Sequence, residues 1–406
     1  MSGSNLSFKS QTAPQWFLGI PEGASIVPVW SEFTKRKFVP GAGKSGDYGR
    51  LSLTMNGVLP REKDDSEGLQ PENFDGYQLL DKGQLVFKLI DLQNESTSRV
   101  GLSPATGLVS PAYIVVSASD RVLPEYAYYY FMDLYNRRVY NNIGEDGVRL
   151  SLGWEDLKAL PFPLVSLDIQ KRIVAFLDEE TAKIDALIAK QQHLIDLLDE
   201  RNSVIWYQLF TGYEPVRYLP LKRVLRKLDR PANPETGVIT AYRDGVVTLR
   251  SNRREEGYTF SETESGYQGI EPGDLVFHGL DGFAGSVGVS DSEGRSTPVY
   301  HVCETIDEDD IVFLAKYLRY LGKTGYLATQ APNVRQRSVD FRNWDRFGRL
   351  PLSLPDIQTQ HVIVEKIESA HEGNEQAKER IAREISLLQE RRSALITAAV
   401  TGQIEV

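Results

Sequence analysis

Cysteine is almost absent from this chain: Cys303 is the single one among 406 residues. A disulfide framework is therefore excluded, and a reducing cytoplasm is the expected compartment. Histidine is scarce as well. The five histidines, at 193, 278, 301, 361 and 371, show no metal-ligand spacing among themselves or with Cys303. His193 and His371 fall on polar helical stretches, and His301 alternates with Cys303 as strand residues do. No apolar run approaches the ~18 residues of a membrane span. The opening "MSGSNLSFKS" lacks the apolar stretch of a signal peptide. No membrane partner is expected.

Catalytic signatures are missing too. There is no Gly-x-Ser-x-Gly elbow, no His-Glu-x-x-His and no dinucleotide fingerprint. "GAGKSG" (41–46) looks like a phosphate loop, but that motif needs a glycine where Phe38 stands. Asp156-x-Lys158 is half of a nuclease signature, a three-residue coincidence without its other half. With 46 basic against 56 acidic residues, the net charge of −10 argues against nonspecific nucleic-acid binding by the whole surface. A local basic face remains open, because steering depends on how charge is distributed.

What the chain does have is bulk and repetition. A hydrophobic content of 41% with 25% charged residues describes a globular protein, and 406 residues suit two to four folded units. "VGLSPATGLVSPAYIVV" (100–116) shares Val, Gly, Ser, Gly, Pro, Tyr and Val with "VGVSDSEGRSTPVYHVC" (287–303), 187 residues on. "GYQLLDKGQLVF" (76–87) answers "GYQGIEPGDLVF" (266–277) at an offset of 190. "PLVSLDIQ" (163–170) pairs with "PLSLPDIQ" (351–358) at 188, and "LDERNSVIWYQLFTG" (198–212) with "LQERRSALITAAVTG" (388–402) at 190. Matches in the same order at nearly one offset mean a duplicated domain of about 190 residues, too long for a solenoid repeat.

Each copy has two parts. Residues 21–160 and 217–349 hold short β-rich runs such as "QLVFKLI" and "DLVFHGL", broken by Gly, Pro, Asn and Asp. Then comes a helix in each copy. From Ile169 to Phe210 there is no Pro or Gly, and from Asp356 to Val400 only Gly373; both stretches stop at Thr-Gly, residues 211–212 and 401–402. Leu177, Ile184, Leu187, Gln191, Leu194, Leu198, Arg201 and Ile205 follow a seven-residue repeat in the first. Ile367, Ala370, Asn374, Ala377, Ile381, Ile385, Leu388, Arg392 and Leu395 follow it in the second, with one extra four-residue step. A seam flanked by charge seeks another helix, and since the two helices are copies, each is the natural partner of the other. The intervening domain makes the pairing antiparallel.

Basic and polar side chains gather in the turn-rich parts. In the first copy these are Lys35, Arg36, Lys37, Lys44 and Arg50. In the second, Arg243, Arg250, Asn252, Arg253 and Arg254 surround an expected hairpin, and Gln330, Asn333, Arg335, Gln336 and Arg337 follow later. Arg, Asn and Gln match the forked donors and acceptors of guanine and adenine edges, while Lys and the remaining Arg suit phosphates. These residues are the expected DNA contacts.

The arrangement resembles the specificity subunit of type I restriction–modification enzymes over essentially its full length. The likeness rests on "LPFPLVSLDIQKRIVAFLDEETAKIDALI", its copy "LPLSLPDIQTQHVIVEKI", the two helix ends quoted above, and the opening "SFKSQTAPQWFLGIPEG". It departs at Leu167, set against Pro355 in the second copy, at "TQH" (359–361) and at Gly373. The resemblance implies an α+β fold: two globular α/β target-recognition domains separated by two long helices packed as an antiparallel coiled coil. The implied division is a first recognition domain over 1–165, a helix over 166–212, a second recognition domain over 213–355 and a C-terminal helix over 356–406. It implies a noncatalytic reader of double-stranded DNA in which each recognition domain takes one half of a split site. It further implies two methyltransferase subunits, with Lys171, Arg172 and Lys183 on the surface they clasp, and a restriction–translocase subunit. S-adenosylmethionine, ATP and magnesium would sit on those partners. Two other readings stay open: a specificity subunit of a type II enzyme cutting on both sides of a split site, and a coiled-coil adaptor without sequence preference.

Overall fold

The computed structural model describes residues 16–41, 43–55, 57–61, 74–92, 98–143, 151–253, 266–330, 334–335 and 338–406. The chain divides into two compact units: residues 1–191 with 382–406, and residues 192–381.

In the first unit an antiparallel sheet runs in the order Phe33–Arg36, Ile114–Ala118, Leu85–Phe87, Val100–Leu102. The helix Pro124–Asn136 packs on it, opened by a proline at its first turn where no amide donor is needed. Phe131 of that helix meets Phe33 and Phe87 edge-on, with ring centroids 5.5 and 5.0 Å away. A second sheet, Gly57–Arg61, Arg50–Thr54, Gly107–Val109, Gln78–Leu80, closes a smaller core of Leu51, Leu53, Val58, Leu80, Val86, Val109 and Val115.

The second unit repeats this plan. Its sheet is Leu225–Lys227, Tyr300–Thr305, Leu275–His278, Val287–Val289, with the helix Ile311–Lys323. That helix begins at Asp310, whose Oδ1 accepts from the amides of Val312 and Phe313. The smaller core holds Ile239, Ala241, Val247, Ile270, Val276 and Val302, the counterparts of Leu51, Leu53, Val58, Leu80, Val86 and Val115. The repeated residues explain themselves here. Gln78 Nε2 donates to the carbonyls of Ser110 and Tyr113, and Gln268 Nε2 to those of Thr297 and Tyr300. Ser103 Oγ donates to Ala105 O, and Ser290 Oγ to Ser292 O. The shared frame is a set of buried polar ties, each satisfied the same way twice.

Two long helices, Leu167–Thr211 and Ile357–Val400, each contribute to both units. Gly373 does not interrupt the second. In the first unit Asp185 takes Arg392 (2.9 and 3.2 Å) and Gln191 Nε2 takes Glu384 (2.8 Å), so one index rises as the other falls. In the second unit Asp199 pairs with Lys378, while Phe210 shares a core with Ile363 and Ile367. The packing is antiparallel in each.

Two expectations are corrected. Ser166 Oγ and Asp356 Oδ1 cap the two helices by accepting from the amides three residues on, Ile169 and Thr359. The strands leading in, Pro161–Leu164 and Pro351–Leu354, are equivalent as well. The true offset there is 190, so the pairing of "PLVSLDIQ" with "PLSLPDIQ" is two residues out of step; Pro355 stands against Val165, not Leu167. Second, the first helix's seam contains Leu177, Ile184, Gln191, Leu198 and Ile205 as expected, but its intervening positions are Thr181, Ile188, Ile195, Asn202 and Leu209. Leu187 and Leu194 are 46% and 44% exposed, and Arg201 is exposed. Leu187-Ile188 and Leu194-Ile195 place apolar side chains in two frames, and the packed frame takes the β-branched residue of each pair.

Candidate nucleic-acid interface

In the first unit the edge strand Phe33–Arg36 turns Phe33 into the core and leaves Lys35 and Arg36, with the following Lys37, in solvent. Arg36 Nε reaches Ser117 Oγ on the neighbouring strand at 3.4 Å, a weak tie. Lys44 is exposed on a turn that Asp75 fastens: its Oδ1 accepts from the Gly43 amide (3.2 Å) and from Ser45 Oγ (2.9 Å). The loop that imitates a phosphate cradle is filled by a carboxylate of this chain. Arg50 departs from expectation. It is only 8% exposed and lies over the Phe74 ring at 4.7 Å, which makes it part of the packing rather than of a free surface.

In the second unit the strands Ile239–Ala241 and Val247–Leu249 form the expected hairpin, and the chain continues into a single helical turn, Arg250–Asn252. Tyr242 N donates to Val246 O (2.8 Å), which closes the loop and puts Gly245 at φ +92°. Arg243 projects from it, 3.2 Å from Asp281. Arg253 folds back over the Tyr242 ring (4.8 Å) and pairs with Asp244 at 2.6 Å. Burial opposes the charge on Asp244, but Arg253 and the Val246 amide outweigh it and hold the carboxyl below its ordinary value. Asn252 Nδ2 donates to Thr248 Oγ1 at 2.9 Å, and Arg250 Nε approaches Thr240 Oγ1 at 3.4 Å. Arg254, Asn333, Gln336 and Arg337 lie outside the described residues, and Arg335 is placed by its backbone alone, in a small hairpin with Ser338–Val339. Gln330 is exposed at the rim of an open cavity of about 390 Å³. Arg346 and Arg349 share that rim, though no motif in the sequence marks them.

Arg319 is a further residue that the sequence does not single out. It lies on the core helix Ile311–Lys323, with its guanidinium over the Trp206 ring at 5.2 Å and its side chain directly under Gly245. Its Nε is buried with no hydrogen-bond partner among the described residues, and burial depresses its pKa against the pull of Asp244. One signal exists: a single arginine on a helix, "IVFLAKYLRYLGK", whose other residues are apolar or aromatic apart from Gly322, Lys316 and Lys323.

The motif fragments resolve into structure. Asp156 Oδ2 accepts from the Gly153 amide at 2.8 Å as a helix cap, and Lys158 pairs with Glu155. Cys303 is buried in the central strand, where burial pushes its thiol well up. His193 and His371 are exposed on the long helices. Among the described residues no group of His, Cys, Asp and Glu could hold a metal, and no helix is long and apolar enough to cross a membrane.

On the long helices Lys171 and Arg172 are exposed, and Lys183 is held by Glu179 (2.8 Å) and Glu180 (2.6 Å). Apolar side chains are also exposed outside the seam, Leu187 in the first unit and, separately, Leu194, Leu197, Val204 and Tyr207 in the second.

Residues 53–196 match the family described as the type I restriction modification DNA specificity domain. No curated protein matches this chain. Among solved structures, one concerning complex assembly and conformational transition of the type I R-M system contains a chain with this fold. Its TM-score is 0.65 at 13% identity, over 95% of this chain and 99% of that one. The HsdS subunit from Thermoanaerobacter tengcongensis aligns at 0.47 and 14% identity, over 95% and 98%. A type I restriction–modification S subunit from M. genitalium aligns at 0.35 and 14%, over 93% and 96%.

Proposed function

We propose that this chain, whose residues 53–196 match the type I restriction modification DNA specificity domain family, reads a split, asymmetric DNA site, one half per unit. The observation that carries this reading is the duplication. Two units keep the same buried polar ties and differ in the side chains their turns present, as a reader of two different half-sequences requires. Exposed Lys35, Arg36, Lys37 and Lys44 in one unit, and Arg243, Asn252 and Arg253 in the other, supply groups suited to phosphates and base edges. Arg50 is withdrawn from that set by its burial.

The chain contributes recognition and scaffolding, and the chemistry belongs to partners. Methyltransferase subunits would dock along the long helices, where Lys171 and Arg172 are exposed and Leu187 stands exposed one turn after Lys183. S-adenosylmethionine would be bound there, and ATP and magnesium on a restriction–translocase subunit. The test is to express the chain with its methyltransferase and map modified bases across a genome. A single motif of two unequal halves with a nonspecific gap is expected. Modification without any preferred motif would leave the coiled-coil adaptor as the surviving reading.

A further inference from the structure

We propose that Met55 and Arg243 occupy the same position in the two units and are the residues by which each unit distinguishes its half of the DNA site. The inference rests on the DNA-reading function proposed above. In the sequence the correspondence is nearly invisible, since "TMNGV" (54–58) and "YRDGV" (242–246) share only a glycine and a valine, 188 residues apart.

The second connection is one residue longer, since Leu53 pairs with Val58 and Ala241 with Val247, but counted from the first strand of each hairpin Met55 and Arg243 hold the same place. Each residue stands at the end of a hairpin, Arg50–Thr54 with Gly57–Arg61 in one unit and Ile239–Ala241 with Val247–Leu249 in the other. Gly57 and Gly245 have φ of +95° and +92°, the left-handed backbone that closes both connections. Each hairpin also lies flat on the glycine of the repeated Val-Gly frame. A Cβ on Gly101 would strike Leu53 and Val58, and one on Gly288 would strike the Gly245 carbonyl and Val247. That is why the frame keeps a glycine there in both copies. The seat is fixed, and the tip is free to differ.

The tips differ in chemistry. Met55 is 55% exposed, with the Tyr135 hydroxyl 3.7 Å from its sulfur. A polarizable, unbranched thioether suits apolar contact with a base edge such as the thymine methyl. The Arg243 side chain is 68% exposed and is oriented by Asp281. A pre-aimed guanidinium suits the paired acceptors of guanine. Under this second tip, Arg319 is a positioning residue: stacked on Trp206 and wedged beneath Gly245, it holds the turn and does not face outward.

The test uses the full chain assembled with its methyltransferase subunits, carrying Met55→Arg or Arg243→Met, with modified bases mapped genome-wide and duplex libraries bound in vitro. Arg243→Met should relax or change one position of one half-site, lowering discrimination there by about 10-fold to 100-fold, and leave the other half unchanged. Met55→Arg should do the converse. Trp206→Ala should blur the same half as Arg243→Met, while Trp206→Phe, which keeps a ring under Arg319, should restore it. Motifs unchanged in both tip variants would overturn this inference while leaving the two-half function standing, as would a uniform drop in affinity for all sequences. A native complex without any split motif would instead sink the underlying function.

Discussion

Gln170 and Gln360, 190 residues apart, perform the same task at the first turn of the two long helices. Each is fully buried, and each donates from Nε2 to the carbonyl five residues back, Val165 (2.9 Å) or Pro355 (3.2 Å). Each Oε1 accepts the amide that opens the neighbouring helix segment, Leu123 N at 2.7 Å or Asp310 N at 3.0 Å. A carboxamide is the one uncharged side chain that can donate twice and accept from a single buried position. Replacing either glutamine with leucine would strand these backbone groups away from water. Gln170→Leu should destabilise the first unit by about 1–3 kcal/mol, and Gln360→Leu the second. Hydrogen exchange resolved by unit measures this; loss of protection in the wrong unit would contradict the assignment.

The corrected seam makes a sharper prediction. Ile188→Ala trims a half-buried side chain between helices and should cost roughly 1–2 kcal/mol, less than a fully buried site. Leu187→Ala, one residue away, should stay within about 0.5 kcal/mol because that side chain faces outward. Leu187→Asp with Leu194→Asp should leave melting unchanged yet weaken co-purification with the methyltransferase. Equal loss of stability at 187 and 188 would restore the seam expected from sequence.

Much of the fold is legible in the sequence because it is written twice. The repeats at 100 and 287, the uninterrupted helical stretches and their Thr-Gly stops give the duplication and the antiparallel pair without coordinates. What escapes a reading of the sequence does so for physical reasons. The seam is ambiguous because leucine and isoleucine adjoin at 187–188 and 194–195, and periodicity alone cannot choose between adjacent apolar frames. The helix entry misaligns because "DIQ" occurs in both copies at different depths, whereas the buried glutamine is Gln170 in one and Gln360 in the other. Arg50 reads as a surface cation because nothing in the sequence reveals that Phe74 covers it. The tip residues, free of packing constraint, keep almost no resemblance for a sequence match to find.

Salt dependence separates phosphate contacts from base contacts. Lys35, Arg36 and Lys37 stand in solvent on and after an edge strand, so alanine at all three should weaken every DNA sequence alike. The slope of log affinity against log salt should shrink by about 0.9 for each phosphate that the variant no longer neutralises. A titration series from low to moderate salt measures it, and an unchanged slope would remove these lysines and arginine from the interface.

The second unit carries a pH dependence. Burial holds His301 below its ordinary pKa, opposed by its 2.7 Å contact from Nε2 to the Phe341 carbonyl and reinforced by Lys227. Burial likewise depresses His278, whose Nδ1 accepts from the amides of Leu280 (3.2 Å) and Asp281 (2.9 Å). A depressed folded pKa means that the unfolded chain takes up its proton first as pH falls. The second unit should therefore hold full stability above the ordinary value near 6.5 and lose it progressively as pH drops toward the folded values. In His301→Asn that acid-side slope should flatten. A melting midpoint for the second unit that rose on acidification would reverse the sign and refute the argument.

The last prediction concerns residues 1–212. The core of the first unit is completed by Ile396, Ala399 and Val400 from the far end of the second long helix. Their counterparts 190 residues earlier are Trp206, Leu209 and Phe210, which complete the core of the second unit in the same way. A 1–212 fragment keeps Trp206, Leu209 and Phe210 but loses 396, 399 and 400. A second copy can fill the gap with its own helix end, and because the exchange is mutual the pair closes as a twofold dimer. The fit is imperfect, since tryptophan, leucine and phenylalanine enter space shaped for isoleucine, alanine and valine. Overpacking of that kind costs about 1–3 kcal/mol per site. The fragment should therefore dimerise weakly, and the triple change Trp206→Ile, Leu209→Ala, Phe210→Val should tighten it. Sedimentation across a concentration series reads both effects. Bound to methyltransferase, the dimer should mark one half-sequence and its inverted copy. A soluble fragment that stayed monomeric with the triple change, or that still marked the native asymmetric site, would rule out this equivalence of the two helix ends.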